Sequence, residues 1–155
     1  MHYNSVDHFL TAQHAAIVIV MTAAQQAAGG HYAALTPTAL QQNAANDVVE
    51  LLHNIRQLRL DSTIMRGFLV GAQENLAEGV DLDDLIRMDQ AFERGFCALL
   101  EQELHDQTDL AAELTRRIHY LTGRFRSSIT SVKVDQTLQR LKRPPSGNHG
   151  GTDRR

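Results

Sequence analysis

Apolar residues return every three or four positions along most of this chain, and no segment alternates apolar with polar as a half-buried strand requires. The spacing predicts a first helix from about Asn4 or Ser5, with Val6, Leu10, His14, Ile17 and Met21 on one arc and a stop at Gly29-Gly30. Thr36 then offers an N-cap and Pro37 a first helical residue whose missing N–H is harmless. A second helix follows to about Leu58, with Leu40, Ala44, Val48, Leu51, Leu52 and Ile55 on its stripe. A third starts near Asp61-Ser62, carries Ile64, Met65, Phe68, Ala72 and Leu76, and ends at Gly79, a residue suited to the left-handed conformation.

The stretch Gly79 to Leu85, GVDLDDL, places three aspartates within four positions, which reads either as a metal cluster or as a helix start. A calcium loop needs alternating ligands and a glutamate at its twelfth position, which is Phe92 here. Asp81 instead stands at an N-cap, Asp84 takes the acidic place of a capping box, and Asp83 favours the positive end of the helix dipole. The fourth helix then runs to about Leu104 through Leu85, Phe92, Phe96, Leu99 and Leu100.

A fifth helix carries Leu114, Ile118, Leu121, Phe125, Ile129 and Val132 inward. Beyond Val132 the stripe rotates, because Val134, Leu138 and Leu141 fall on nearly the opposite side of an ideal helix. Either the chain breaks between Ser131 and Asp135, or the helix leaves the core there and offers a second apolar seam. From Arg143 to Arg155 nothing apolar remains except prolines and glycines, and this tail is expected to be disordered. The fold expectation is all-α: a single five-helix bundle over residues 1–142, with 133–142 as a linker helix and 143–155 as the tail.

Composition agrees with a packed domain. The chain has 155 residues, 43% of them hydrophobic and 21% charged, and lacks tryptophan, so packing rests on aliphatic side chains. Its lone cysteine, Cys97, has no partner for an internal disulfide or a cysteine-based zinc site, which points to a reducing, cytoplasmic setting. The run Ala15–Ala24 is about half of the ~20 residues that a membrane span needs and lacks a basic segment before it. Net charge is −3, unevenly placed: Glu74 to Glu113 holds twelve acids and two arginines, and Thr115 to Arg143 eight bases and one acid. Attraction between an acidic and a basic helix of one bundle accounts for this division, and nucleic acid is not an expected partner.

Candidate chemistry is sparse. His53 and His119 fall away from the core stripes and read as solvated. His14 lies within the apolar arc of the first helix, so a buried imidazole with a carbonyl or carboxylate partner is expected. Asp89 lies between Leu85 or Ile86 and Phe92 on the inward stripe of the fourth helix, where desolvation raises a carboxyl pKa unless a donor compensates. Gly67 and Gly71 either let another helix approach closely or are merely tolerated. No nucleophile turn, phosphate loop or zinc-spaced His-Glu pair is present, so the chain reads as a non-enzyme with no metal and no cofactor. His14, Asp89 and Phe92 stand as ligand or sensing candidates, and Val134, Leu138 and Leu141 as a dimer or linker seam.

Three stretches together resemble the N-terminal sensory domain of RsbT co-antagonist (RsbR-type) proteins, found also before PucR/CdaR-type regulators. They are GGHYAALTPTAL with NDVVELLHNIR, then ENLAEGVDLDDLIRMDQAFERGF, then the long closing helix after QTDLAAEL, covering most of Val6 to Val132. The resemblance implies a non-haem, globin-like helical fold that dimerises and passes a signal through its final helix to an output domain. Two departures stand out: no output domain follows before Arg155, and Asp89 occupies a position where that family often carries an aromatic. A stand-alone protein, a fragment, or a homodimer acting in trans on a STAS-domain, kinase or regulator partner would each fit.

The expected function is therefore a cytoplasmic sensory or interaction domain of a bacterial signalling or stress-response system that answers a small ligand. Two rivals are a haem or other cofactor carrier using His14, and an adaptor binding an acidic partner through Arg116, Arg117, Arg124 and Arg126.

Overall fold

The computed structural model describes residues 1–58 and 62–144, with side chains throughout except at 62–65. Six helices follow one another: α1 (Val6–Ala12), α2 (His14–Ala28), α3 (Pro37–Arg56), α4 (Ser62–Ala77), α5 (Leu82–Glu103) and α6 (Thr108–Lys142), with a 3-10 turn at Gly30–Ala34 after α2. The described residues contain no strand, so the all-α expectation holds, with six helices in place of five. The described residues also contain no single helix long and apolar enough to cross a membrane.

The extra helix comes from a break at Gln13, where φ −97° and ψ 12° leave the helical well and the axis turns by 70°. Gln13 N–H still donates to Phe9 O at 2.9 Å, and its carbonyl accepts from Ile17 N–H at 2.9 Å, so one helix ends and the next begins on one residue. The Gln13 side chain is held outside both helices, donating from Nε2 to Tyr3 Oη at 2.7 Å and to Glu103 Oε2 at 3.4 Å. The bend lets Phe9, Leu10 and Ile17 all become fully buried. It also corrects the expectation for His14, which becomes the first residue of α2 and is exposed.

Helix α5 is the centre of the bundle, packed along α2 on one side and α6 on the other. Its inward stripe of Leu85, Met88, Phe92, Phe96 and Leu100 is buried, as are Leu114, Ile118, Leu121, Ile129 and Val132 of α6. Gly95 permits the α2 crossing, since a Cβ there would lie 2.7 Å from Val20 Cγ1. Of the two readings of Gly67 and Gly71, close approach is not observed: an added Cβ at either meets nothing within 4 Å.

The caps follow local chemistry. Ser5 and Thr36 accept from His8 N–H at 3.0 Å and Ala39 N–H at 3.1 Å. Gly79, at φ 82°, closes α4 with a Schellman pair, Gly79 N–H to Leu76 O and Val80 N–H to Asn75 O. Asp81 caps α5 as expected, accepting from Asp83 N–H at 2.9 Å. Asp84, expected in a capping box, turns inward instead: it is buried, pairs with Arg87 and accepts from His31 N–H at 3.1 Å. Its carboxylate lies where a Cβ of Gly30 would be, and Gly30 has φ 54°, so the 3-10 turn is fastened to α5 through a position that only glycine fills without strain.

Helix α6 is unbroken over 35 residues, ~52 Å at about 1.5 Å per residue. Where its inward stripe ends, Lys133 pairs with Asp83 at the start of α5. Past that point Val134, Leu138 and Leu141 are 51%, 47% and 76% exposed. Of the two sequence alternatives, the continuous helix with a second apolar seam is the one observed. The tail expected to be disordered lies, from residue 145 onward, outside the described residues.

Two glycine substitutions separate packing from propensity. Gly95→Leu is expected to cost about 1–3 kcal/mol by overpacking the α2–α5 crossing. Gly123→Ala, where the added methyl meets nothing, is expected to gain up to about 1 kcal/mol from helix propensity. Urea denaturation of both variants checks the pair, and equal signs would refute the α2–α5 packing.

Candidate functional site

Helix α4 packs on α6 and makes little contact with α3, so a space remains between α3, α4 and the face of α5. It forms a cavity of about 330 Å³, at the small end of the usual range for small-molecule sites. Its apolar walls include Phe68, Phe92, Phe125 and Met88, with Gly67 and Gly71 leaving room on the α4 side. Phe68 and Phe125 meet edge to face at 5.6 Å between ring centroids, which closes the α4–α6 wall.

Into this wall are set two carboxylates, Asp89 from α5 and Asp47 from α3. The Asp89 side chain is only 9% exposed, and its Oδ2 is buried and accepts no hydrogen bond from the described residues. Arg126 Nη1 stands 3.5 Å from that oxygen, beyond the usual ~2.7–2.9 Å of a charge-assisted bond. Arg126 is divided between two acids, for its Nη2 lies 3.3 Å from Glu93 Oε2. Burial pushes the Asp89 carboxyl up to about 7; Arg126 opposes that shift and Glu93 adds to it.

Asp47 belongs to a separate polar chain. Gln25, fully buried on α2, donates from Nε2 to Asp47 Oδ2 at 2.8 Å and accepts from Asn43 Nδ2 at 3.3 Å. Burial raises the Asp47 carboxyl to about 6, with Glu50 adding and the Gln25 bond opposing. Tyr32, buried in the middle of the 3-10 turn, also lines the cavity, and burial together with Asp47 raises its phenol above the ordinary value.

The sequence candidates are thus partly assembled. Asp89 and Phe92 line one cavity, whereas His14 is exposed and lines neither this cavity nor the wider groove beside Cys97. The charged partner of Asp89 is Arg126 of α6. Asp47, Gln25, Glu93 and Tyr32 were not singled out by sequence reasoning. For Asp47 a signal existed: it sits in register with Ala44, Val48 and Leu51, one turn after the first and one before the last.

Other candidates are placed as follows. Burial raises the Cys97 thiol, with Glu93 and Glu101 adding, so no thiolate is favoured there. His119 Nδ1 lies 3.0 Å from Glu93 Oε1 despite the ring's exposure. Arg116 and Arg117 both pair with Glu113, Arg117 also donates to Ile55 O at 2.8 Å, and Arg124 covers the Tyr120 ring at 5.2 Å. Arginines named for an acidic partner therefore have partners within the fold. Among the described residues, no group of three or more His, Cys, Asp or Glu is arranged to hold a metal ion.

No protein-family model, curated protein or solved structure matches the chain.

Because both carboxyls sit above the ~4 of an unfolded chain, the native state holds more protons than the unfolded state between pH ~4 and ~7. Stability is therefore expected to fall as pH rises through that window. Asp89→Asn should flatten the fall up to pH about 7, and Asp47→Asn its lower part up to pH about 6. At pH 8, Asp89→Asn should be more stable than the parent by about 1–3 kcal/mol, since an amide is cheaper to bury than an unsatisfied carboxylate. Thermal unfolding at pH 5 and pH 8 decides it; parallel slopes for parent and variants would contradict the buried-acid account.

Proposed function

We propose that this chain is a non-enzymatic cytoplasmic sensory domain that binds a small ligand in the α3–α4–α5 cavity and relays occupancy through α6. One observation carries the reading: the same unbroken helix lines the cavity and presents the exposed seam. Leu121, Thr122 and Phe125 line the cavity, Arg126 pairs with Asp89, and the seam of Val134, Leu138 and Leu141 follows on the same helix.

A rigid helix transmits displacement along its length, so an occupant that moves the middle of α6 also moves the seam. Spacings of four and three residues between the seam positions are those of a coiled-coil contact. Occupancy would change how two copies meet there, or how the helix presents itself to a partner in trans. The resemblance to RsbR-type sensory domains, including their globin-like non-haem fold, favours this reading over a haem carrier, and the exposed position of His14 points the same way.

The experiment is the oligomeric state. Light scattering on the eluting full chain is expected to give a dimer, and Leu138→Glu with Leu141→Glu a monomer with unchanged thermal stability. Identical masses for parent and variant would remove the seam from the mechanism.

A further inference from the structure

We infer that the cavity takes a small organic cation, an amine on an apolar body, bound between Asp89 and Asp47. The inference rests on the ligand-binding reading above and specifies its substrate class.

Three observations converge. First, charge of one sign prevails: Asp47, Glu50, Glu78 and Asp89 line the cavity, and no lysine or arginine does so among the described residues, His31 being the one basic ring on its wall. Second, Asp89 Oδ2 is a buried acceptor without a hydrogen bond, a condition that native folds rarely leave unanswered. Arg126, shared with Glu93, does not answer it. Third, four aromatic rings stand among the aliphatic and amide groups of the remaining lining. Phe92, Phe125, Phe68 and Tyr32 offer ring faces and edges, and an ammonium flanked by rings and carboxylates gains from both quadrupole and charge.

An anion would enter past the exposed Glu50 and Glu78 toward the more buried Asp47 and Asp89, and is disfavoured on that ground. A neutral molecule could fill the volume but would leave Asp47 with no counter-charge and Asp89 with only the arginine it shares with Glu93. A cation brings that counter-charge. Its arrival favours the ionised carboxylates, so each acid that was protonated releases its proton to solvent as the ammonium–carboxylate pair forms. The groups facing the acids fix the sign: Glu93 and Arg126 beside Asp89, Glu50, Gln25 and Tyr32 beside Asp47.

Three probes of one shape test the inference on the full chain: phenethylamine, its alcohol analogue 2-phenylethanol, and phenylacetate. Isothermal titration at pH 7 is expected to give saturable binding of the amine, at least tenfold tighter than the alcohol, and none of the acid. Repeating the amine titration in two buffers of different ionisation enthalpy should show net proton release. Asp89→Asn and Asp47→Asn should each weaken the amine by tenfold or more. Gly71→Leu, which builds into open space at a helix position, should abolish binding while the protein stays folded.

If the alcohol binds as well as the amine and Gly71→Leu blocks both, the cavity is a ligand site and the cation inference is overturned. If no probe binds up to millimolar concentration, the cation inference is again overturned. In that case an unchanged dimer on adding Gly71→Leu would overturn the sensory reading as well.

Discussion

Two acids and one arginine share the buried seam between α5 and α6, and their charges do not cancel. Arg126 reaches Asp89 and Glu93 together, so the group carries one negative charge more than positive in a region of low polarity whenever both acids are ionised. Burial is what pushes the Asp89 carboxyl up to about 7 although an arginine stands beside it, and the second acid adds to that shift. Glu93 has further partners, the donating Thr122 Oγ1 and the His119 ring. Asp89 has no such additional donors and is left as the acceptor with capacity to spare.

That imbalance makes sense of where α4 lies. A fourth helix packed tightly against α3 would seal Asp89 and Asp47 into an apolar core with no route to a compensating charge. Instead α4 leans on α6, and its two glycines leave open space on the wall. The bundle is tight along the α2–α5 and α5–α6 contacts and open where the acids are. Local opening is easiest in a helix with few neighbours, and α4 packs chiefly on α6.

Much of the scaffold was legible in the sequence because caps and periodicity are local. Thr36-Pro37, Gly79 and Asp81 act where they stand, and the stripes of α3, α5 and α6 are the ones buried. The bend at Gln13 was not legible: neither proline nor glycine marks it, and what holds it is distant in sequence, Tyr3 Oη and Glu103. Asp84 shows the same limit. At its position in α5 a capping role is the local choice, yet the 3-10 turn more than fifty residues earlier presents His31 N–H and claims the carboxylate. The three glycines that line a packing face or the cavity are equally silent in sequence. Gly95 is a close approach and the Gly67–Gly71 pair is open space, although all three are glycines within helices.

Placement of the polar groups distinguishes a binding site from leftover burial. A carboxylate buried by accident costs stability without return, and the usual outcome is a full set of donors or none of the charge. Asp47 has one donor, Gln25, itself fixed by Asn43 from a different turn of α3, which fixes the direction of the carboxylate. Asp89 is fixed from the other side by Arg126 at a distance that attracts without saturating. Both acids are thus aimed and only partly satisfied, on helices that meet the cavity from different sides. Such an arrangement favours an incoming positive charge over either water or a hydrocarbon, because each acid gains what the fold withholds from it.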